Sequence, residues 1–482
     1  MRSLFILLLF FQVSGSFCFS QCISPVNFQK QKDAPSAIPL FQHYLTVRRD
    51  TAAARPYLYA AAKEGGLIIY NVSSLSTASQ VATVPSSSLA GLDVNSLVQS
   101  GNYLYLALGD IFSSSSQKSG MAIIDVSSPA SPLIKSVYTY TANSGAGGVA
   151  VDGNTAYLAA MQNGILVLDV TNKSNVQLVS VKKPSVNFPV VNPSSSDLLK
   201  INARSLIVKN NLIYLCYDAG GVRILDAGNK ASLKETGRYA NSLLNNRPRA
   251  YNNLVLNDTL VYVAADYCGM EVLNVKDTAH IKQVGWWNPW NCQNTGNTWF
   301  NSPGHTNEIE FDPACKLIFM SAGRSDLMAV SVANPAMPDS CSQFGLKTDS
   351  IGTWGLGRYG NQIYLAYLST WPLFTPFRSE WSGIKIITYN NACVTELFEH
   401  INTEGVSVYP NPANDKIYFE GVSSTNGSLC IYTLTGTLIY EKDFAAGSLR
   451  WQLDTKSMAR GMYIVRISDR NSVHTKRLVL SD

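Results

Sequence analysis

Gly148-Val149-Ala150-Val151, a Gly153-Asn154 turn, Ala156-Tyr157-Leu158-Ala159 and then Gly164-Ile165-Leu166-Val167-Leu168-Asp169-Val170 form one unit that recurs along the chain. The aromatic of its second apolar run returns as Tyr59, Tyr105, Tyr157, Tyr214, Tyr262, Phe319 and Tyr364, at spacings of 45 to 57 residues. After most of them comes a glycine and a second apolar run, such as Gly66-Leu67-Ile68-Ile69-Tyr70 or Gly269-Met270-Glu271-Val272-Leu273. A weaker strand precedes each aromatic, and a fourth follows, as in Leu133-Ile134-Lys135-Ser136-Val137-Tyr138. Four short strands at this period are the signature of one propeller blade. The middle strands are nearly continuously apolar, so both of their faces must be covered. One unit cannot cover both, and the units must stack into a ring. β-branched runs and frequent Gly/Asn turns exclude a helical solenoid. The expected fold class is all-β: a seven-bladed β-propeller over residues 44–393, followed by a small C-terminal β-sandwich.

The stretches Ile123-Ile124-Asp125-Val126-Ser127 and Leu166-Val167-Leu168-Asp169-Val170-Thr171 resemble the LVIVD-type repeat. That resemblance implies the propeller fold and little about activity. The seventh unit lacks an outer strand, whereas residues 21–43 precede the first unit and are otherwise unused. Part of that segment is therefore expected to supply the missing strand and close the ring. A Cys22–Cys393 disulfide would clasp the closure. Cys315 with Cys341 and Cys268 with Cys292 are the other candidate pairs, leaving Cys216 and Cys430 as thiols. Export permits such bonds, but spacing alone does not fix the pairing.

Both ends of the chain read as addresses. Arg2, the apolar run Leu4–Phe11 and the small residues Ser14, Gly15 and Ser16 give the pattern of a signal peptide over residues 1–20. Acylation of Cys22 as a lipoprotein is the alternative. The apolar run is far shorter than the ~20 residues a membrane-spanning helix needs. After a linker at 394–404, residues 405–482 contain Tyr409-Pro410-Asn411-Pro412-Ala413, Thr433-Leu434-Thr435-Gly436, Gly461-Met462-Tyr463 and Lys476-Arg477-Leu478-Val479-Leu480. In that order they closely resemble the C-terminal sorting domain of type IX secretion cargo in Bacteroidetes. The resemblance implies handling by the type IX machinery through residues 405–482, and a cell-surface or extracellular location.

Composition narrows the function. The net charge is +5 with only 15% charged residues and no Lys/Arg block, so a nucleic-acid-binding stripe is not expected. No CxxC or HxxxH cluster is present, and neither a metal nor a cofactor is expected. No Gly-x-Ser-x-Gly elbow or phosphate-cradling Gly-Lys-Ser/Thr loop occurs.

Propellers bind at the ring ends, where loops converge. Trp286, Trp287, Trp290, Trp299, Trp354, Trp371 and Trp381 are seven of the eight tryptophans and fall in the last three units. They either stack on a sugar or protein ligand or plug the propeller's own loops. The position ten residues before each aromatic reads Arg49, Asn95, Gly147, Arg204, Asn252, Ile309 and Trp354. It marks where inner strands enter the channel, with His305 and Asn307 near it. The polar members either hold a ligand or line a water-filled channel. Asp110, Asp218 and Asp266 follow the aromatics at the next turn, where Asp serves the turn itself or acts as acid and base.

The expected function is an exported binding scaffold for a glycan or protein. Its ligand-binding candidates are Trp286, Trp287, Trp290, Trp299, Trp354, Arg204, Asn252 and His305. A hydrolase or lyase using carboxylates and His305 at the channel mouth, and a structural envelope protein without a small ligand, are the alternatives. The enzyme reading requires His305, Glu308 and an Asp to converge in one pocket.

Overall fold

In a computed structural model, the structure describes residues 26–34, 43–51, 55–112, 118–140, 144–345, 352–368, 381–390, 407–423, 425–433, 438–469 and 473–481. The signal-peptide segment, Cys22, Cys393 and Trp371 lie outside them. The chain divides into two compact units, residues 1–394 and 395–482.

The first unit holds seven four-stranded antiparallel sheets. Their inner strands are Thr46–Arg49, Val94–Ser100, Gly148–Asp152, Ser205–Lys209, Asn253–Asn257, Ile309–Asp312 and Gly352–Tyr359. Each inner strand adjoins the next in chain order, and the last adjoins the first, so the seven blades close a ring. The seventh blade takes its outer strand from Asn27–Ala34, which pairs antiparallel with Gly383–Asn390 from Asn27↔Asn390 to Ala34↔Ile384. Phe28 on that strand meets Phe319 and Phe344 of the sixth blade edge-on, at 6.3 and 6.1 Å.

The recurring glycine has a steric cause. Gly66, Gly164, Gly221 and Gly269 stand at φ 77–86°, in the left-handed region. A Cβ at Gly221 or Gly269 would come within 2.1 Å of the carbonyl oxygen of Tyr239 or Trp287 on the same blade's outer strand. Only glycine fits there. Three residues earlier, the same turn holds a second left-handed residue, which is Lys63, Met161, Asp218 or Asp266. In the sixth blade the two roles are exchanged, with Gly323 first and Asp326 last. The first residue of the turn hooks the next blade: Lys63 bridges Val94, Met161 bridges Ala203, Asp266 bridges Thr306 and Gly323 bridges Thr353.

The middle strands are buried on both faces. Tyr157, Leu158, Ala159, Ile165, Leu166, Val167 and Leu168 are each 0% exposed. Alternate residues pack against opposite neighbours, since Ala156 and Leu158 join one interblade core and Tyr157 and Ala159 the next. This is the period of two expected of a strand.

The second unit is two sheets. One holds Ser407–Tyr409, Lys416–Ser423 and Gly447–Asp454, and the other Leu438–Phe444, Gly427–Thr433, Gly461–Asp469 and Val473–Leu480. Alternating residues Leu429/Ile431, Tyr463/Val465/Ile467 and Leu478/Leu480 form its core with Ile417 and Phe419. Asn411, between the two prolines, donates from Nδ2 to Arg477 O at 2.6 Å and accepts from Val479 N at 2.8 Å. One amide side chain thus pairs with the last strand as a backbone residue would.

Candidate functional site

The ten-residue offset places the mouth of the channel correctly in five blades and wrongly in two. Tyr105, Tyr157, Tyr214, Tyr262 and Tyr364 each pair with the inner-strand residue seven before them. Tyr59 pairs with Arg48 and Phe319 with Glu310, because the inner hairpin turns of blades one and six are longer. The structural equivalents are therefore Leu45 instead of Arg49, and Asn307 instead of Ile309. Arg49 lies at the opposite end of its strand, where its Nη1 donates to the carbonyls of Arg55 and Tyr57. The ring at the mouth is Leu45, Asn95, Gly147, Arg204, Asn252, Asn307 and Trp354. Asn95 and Trp354 both sit at β-bulges of their inner hairpins, a device that re-aims a side chain.

Arg204, Asn252, Asn307 and Trp354 of this ring line a cavity of about 610 Å³. Trp299, Asp218 and Asp266 line it too, with the connectors carrying Leu199–Asn202 and Asn245–Ala250. Two of its indoles rest on apolar side chains. Trp299, Trp354 and Ile111 pack on Leu45 and Leu368, which are 0% and 1% exposed. Phe112 meets Trp354 edge-on at 5.0 Å. Trp299 and Trp354 thus pack with Ile111 on Leu45 and Leu368, and Phe112 packs on Trp354. A volume of this size accommodates a small molecule or two to three sugar rings.

The polar groups of the pocket are fixed from behind. Asp266 accepts from Trp299 Nε1 at 2.8 Å and hydrogen-bonds His305 Nδ1 at 2.5 Å. His305 is 0% exposed and stands behind Asp266, outside the lining. Asp218 accepts from Asn202 Nδ2 at 3.0 Å. Burial pushes its carboxyl up to about 6, against the nearby Arg204 charge and the Asn202 bond, with Asp266 adding to the rise. Asn252 donates to Thr306 O at 2.9 Å. Arg249 donates to Ala219 O, Asn241 O and Asn245 Oδ1 at 3.1–3.3 Å.

Two buried clamps hold the walls. Glu271, 0% exposed on the third strand of blade five, accepts from Tyr239 Oη at 2.7 Å, and from Asn241 Nδ2 and Tyr251 Oη at 3.1 Å each. It secures the connector that ends in Arg249 and Asn252. Arg223, also 0% exposed, donates to Ser185 O and Phe188 O at 3.2 and 3.0 Å and lies over the Phe188 ring at 4.8 Å. It holds the preceding connector, whose Pro189 and Val190 reach the pocket.

The remaining candidates lie elsewhere. Trp286 donates from Nε1 to Cys268 O at 2.9 Å. Trp287 donates to Ser340 Oγ at 2.8 Å and meets Trp290 at 5.5 Å, and these two are 4% and 8% exposed in the core between blades five and six. All three indoles plug the propeller's own structure. Gly304 makes room, since a Cβ there would stand 2.0 Å from the Trp290 ring. Trp381 packs on Tyr367 at 5.0 Å. Glu308 turns into the channel, accepting from Thr46 Oγ1, Arg48 Nη1 and Leu356 N at 2.6, 3.3 and 2.7 Å. Of the proposed acid–base set, only the Asp266–His305 pair meets. Asp218 and Asp266 serve the turn and face the pocket at once. Asn202, Arg247 and Arg249 are not among the sequence candidates; the long spacing of 57 residues between Tyr157 and Tyr214 is the available signal for Asn202.

Cys268 and Cys292 are joined, with Cα atoms 5.2 Å apart. Cys315 and Cys341 are each in a disulfide, and Cys216 and Cys430 are buried thiols. The Cys22–Cys393 clasp falls outside the described residues. Among the described residues, no cluster of His, Cys, Asp and Glu could hold a metal, and no helix is long and apolar enough to cross a membrane.

Comparison with known families identifies LVIVD repeats at residues 93–140, 145–181 and 202–241, and a secretion system C-terminal sorting domain at residues 407–481. No curated protein matches the chain. Among solved structures, the chain is similar to the Cps50 (Swd1) beta-propeller domain of Myceliophteria thermophila, at 12% identity and a TM-score of 0.50, over 75% of this chain and 99% of that one. It is also similar to a chain in a crystal structure of the mitotic checkpoint complex, at 13% identity and a TM-score of 0.49, over 80% and 98% of the two chains. The first of these likenesses concerns the fold alone.

Proposed function

Starting from a chain of LVIVD repeats that ends in a secretion sorting domain, and is therefore exported by the type IX system to the cell surface or beyond, we propose that the propeller is a saccharide-binding protein. The observation that carries this is the pocket lined by Trp299 and Trp354 and by amides and carboxylates from several blades. A pyranose ring offers an apolar face to an indole and hydroxyls to Asn and Asp. An indole supplies a wide flat surface at small entropic cost. Asp218, Asp266, Asn252 and Arg249 are fixed before any ligand arrives, which lowers the cost of binding. A glycan array probed with the exported protein tests this. Wild type is expected to retain oligosaccharides, and Trp354→Ala to lose them. Indifference of binding to Trp354→Ala would remove the pocket from the account.

A second reading is a hydrolase or lyase. It is favoured by Asp218, whose carboxyl stays protonated to about pH 6 beside a second carboxylate in the same cavity. That is the arrangement a general acid requires. Release of new reducing ends from the bound oligosaccharide, abolished in Asp218→Asn, would separate an enzyme from a binding protein.

A further inference from the structure

Arg204 differs from the other arginines around the pocket. Arg249 has three acceptors, Arg247 donates to Gln293 O at 2.9 Å, and Arg223 holds Ser185 and Phe188. The Arg204 backbone is fixed, since its N–H donates to Cys216 O at 3.0 Å. Its carbonyl lies 2.6 Å from where a Cβ on Gly147 would stand, so blade three presses directly on it. Its guanidinium lies over the Trp354 ring at 5.7 Å, on the lining of the pocket. Among the described residues, no hydrogen bond or ion pair engages that guanidinium.

The nearest carboxylates do not take it. Asp266 gives one oxygen to His305 and the other to Trp299. Asp218 turns one oxygen to Asn202. A guanidinium fork therefore faces the cavity with its donors unspent, beside an indole face.

We propose that the ligand of this pocket carries a carboxylate, and that Arg204 is the residue that reads it. This rests on the saccharide reading and names its class, an acidic sugar of the hexuronate type. A hexuronate places its carboxylate on the ring edge, in line with the plane that stacks on an indole. The fork of Arg204, held beside Trp354, presents two parallel N–H donors at that edge, the geometry a carboxylate fills. A phosphate monoester carries close to two charges and would draw on more than one cation. Among the described residues lining the pocket, Arg204 is the one guanidinium with no hydrogen-bond or ion-pair partner, and its planar fork matches a carboxylate.

The test uses the exported protein and three probes: an oligogalacturonate, the same oligomer fully methyl-esterified, and a neutral oligosaccharide of equal length. Isothermal titration is the readout. Bonds to a charged group are worth about 1.5–3 kcal/mol, which corresponds to roughly a 10- to 100-fold change in affinity. Esterification is expected to weaken binding by that factor with wild-type protein, so this arm does not depend on how any variant folds. Arg204→Gln is expected to bind acid and ester alike, and Arg204→Lys to recover only part of the preference. Equal affinity of wild type for acid and ester would overturn the proposal while leaving saccharide binding intact. Failure of all three probes to bind would overturn both.

Discussion

Glu271 touches no ligand in this account, yet the pocket depends on it. Replacing it with Ala removes the acceptor of three donors, Tyr239 Oη, Asn241 Nδ2 and Tyr251 Oη. Tyr251 is 0% exposed and Asn241 3%, so water does not replace the lost oxygen without rearrangement. An orphaned buried donor costs about 1–3 kcal/mol. Tyr239 is partly exposed and re-solvates most easily, so the loss is set at roughly 4 kcal/mol in total, counted at the lower part of that range for the exposed phenol. Glu271→Gln keeps one acceptor oxygen, and its amide can donate to a phenol oxygen, so about 1–2 kcal/mol is expected. Unfolding entropy of ~2.1 cal/mol/K per residue over about 350 residues gives about 0.7 kcal/mol/K. The Ala variant should then melt roughly 5 °C lower and the Gln variant about 2 °C lower by calorimetry. Asn241 O and Asn245 Oδ1 anchor Arg249, so hydrogen exchange of residues 241–250 should accelerate in both variants before global melting. An unchanged melting temperature in Glu271→Ala, with unchanged exchange at 241–250, would refute the claim that this carboxylate fastens the wall.

Three further outcomes follow from separate parts of the molecule. The Asp218 carboxyl is raised to about 6 in the fold, mainly by burial, so the folded state holds its proton more tightly than the unfolded chain does. Its contribution to stability is complete below about pH 4 and is lost as pH rises through 6; Asp218→Asn should flatten that part of the melting-temperature profile, and an unchanged profile would contradict it. Alkylation under denaturing, non-reducing conditions should label Cys216 and Cys430 and spare Cys268, Cys292, Cys315 and Cys341; label on any of the four spared residues refutes the assignment. Deleting residues 407–481 should leave the propeller in the periplasm, detected by fractionation, and normal surface display of the truncated chain would contradict the role of the sorting domain.

The propeller was legible because its middle strands are buried on both faces. That burial forces the unbroken apolar runs around Tyr157 and Leu166, and a close carbonyl forces glycine at Gly164 and Gly221. The sorting domain was legible through Asn411, whose amide pairs with the last strand and so fixes both motifs at once. The pocket was legible only in part. Of the sequence candidates, Arg204, Asn252, Trp299 and Trp354 line one cavity. Counting ten residues back failed at Arg49 and Ile309 because hairpin turns differ in length, which no periodicity records. For Trp286, Trp287 and Trp290 the sequence leaves ligand stacking and plugging of the propeller's own loops both open, because an exposed connector and one folded back into a core have the same composition. Gly304, which admits Trp290, carries the distinction, but only once the partner is known. Asp218 and Asp266 read in the sequence as turn residues. They are that, and the same left-handed turn carries them at the edge of the cavity.

The most direct test of a saccharide pocket at one end of the ring is a hydrogen-exchange footprint of the exported protein with and without oligogalacturonate. Protection should appear at residues 199–204, 245–252 and 299–307 and around Trp354, with the opposite end of the ring unchanged. Protection centred on the hairpin turns at Gly153-Asn154 and Asn210-Asn211, or none at saturating ligand, would contradict it.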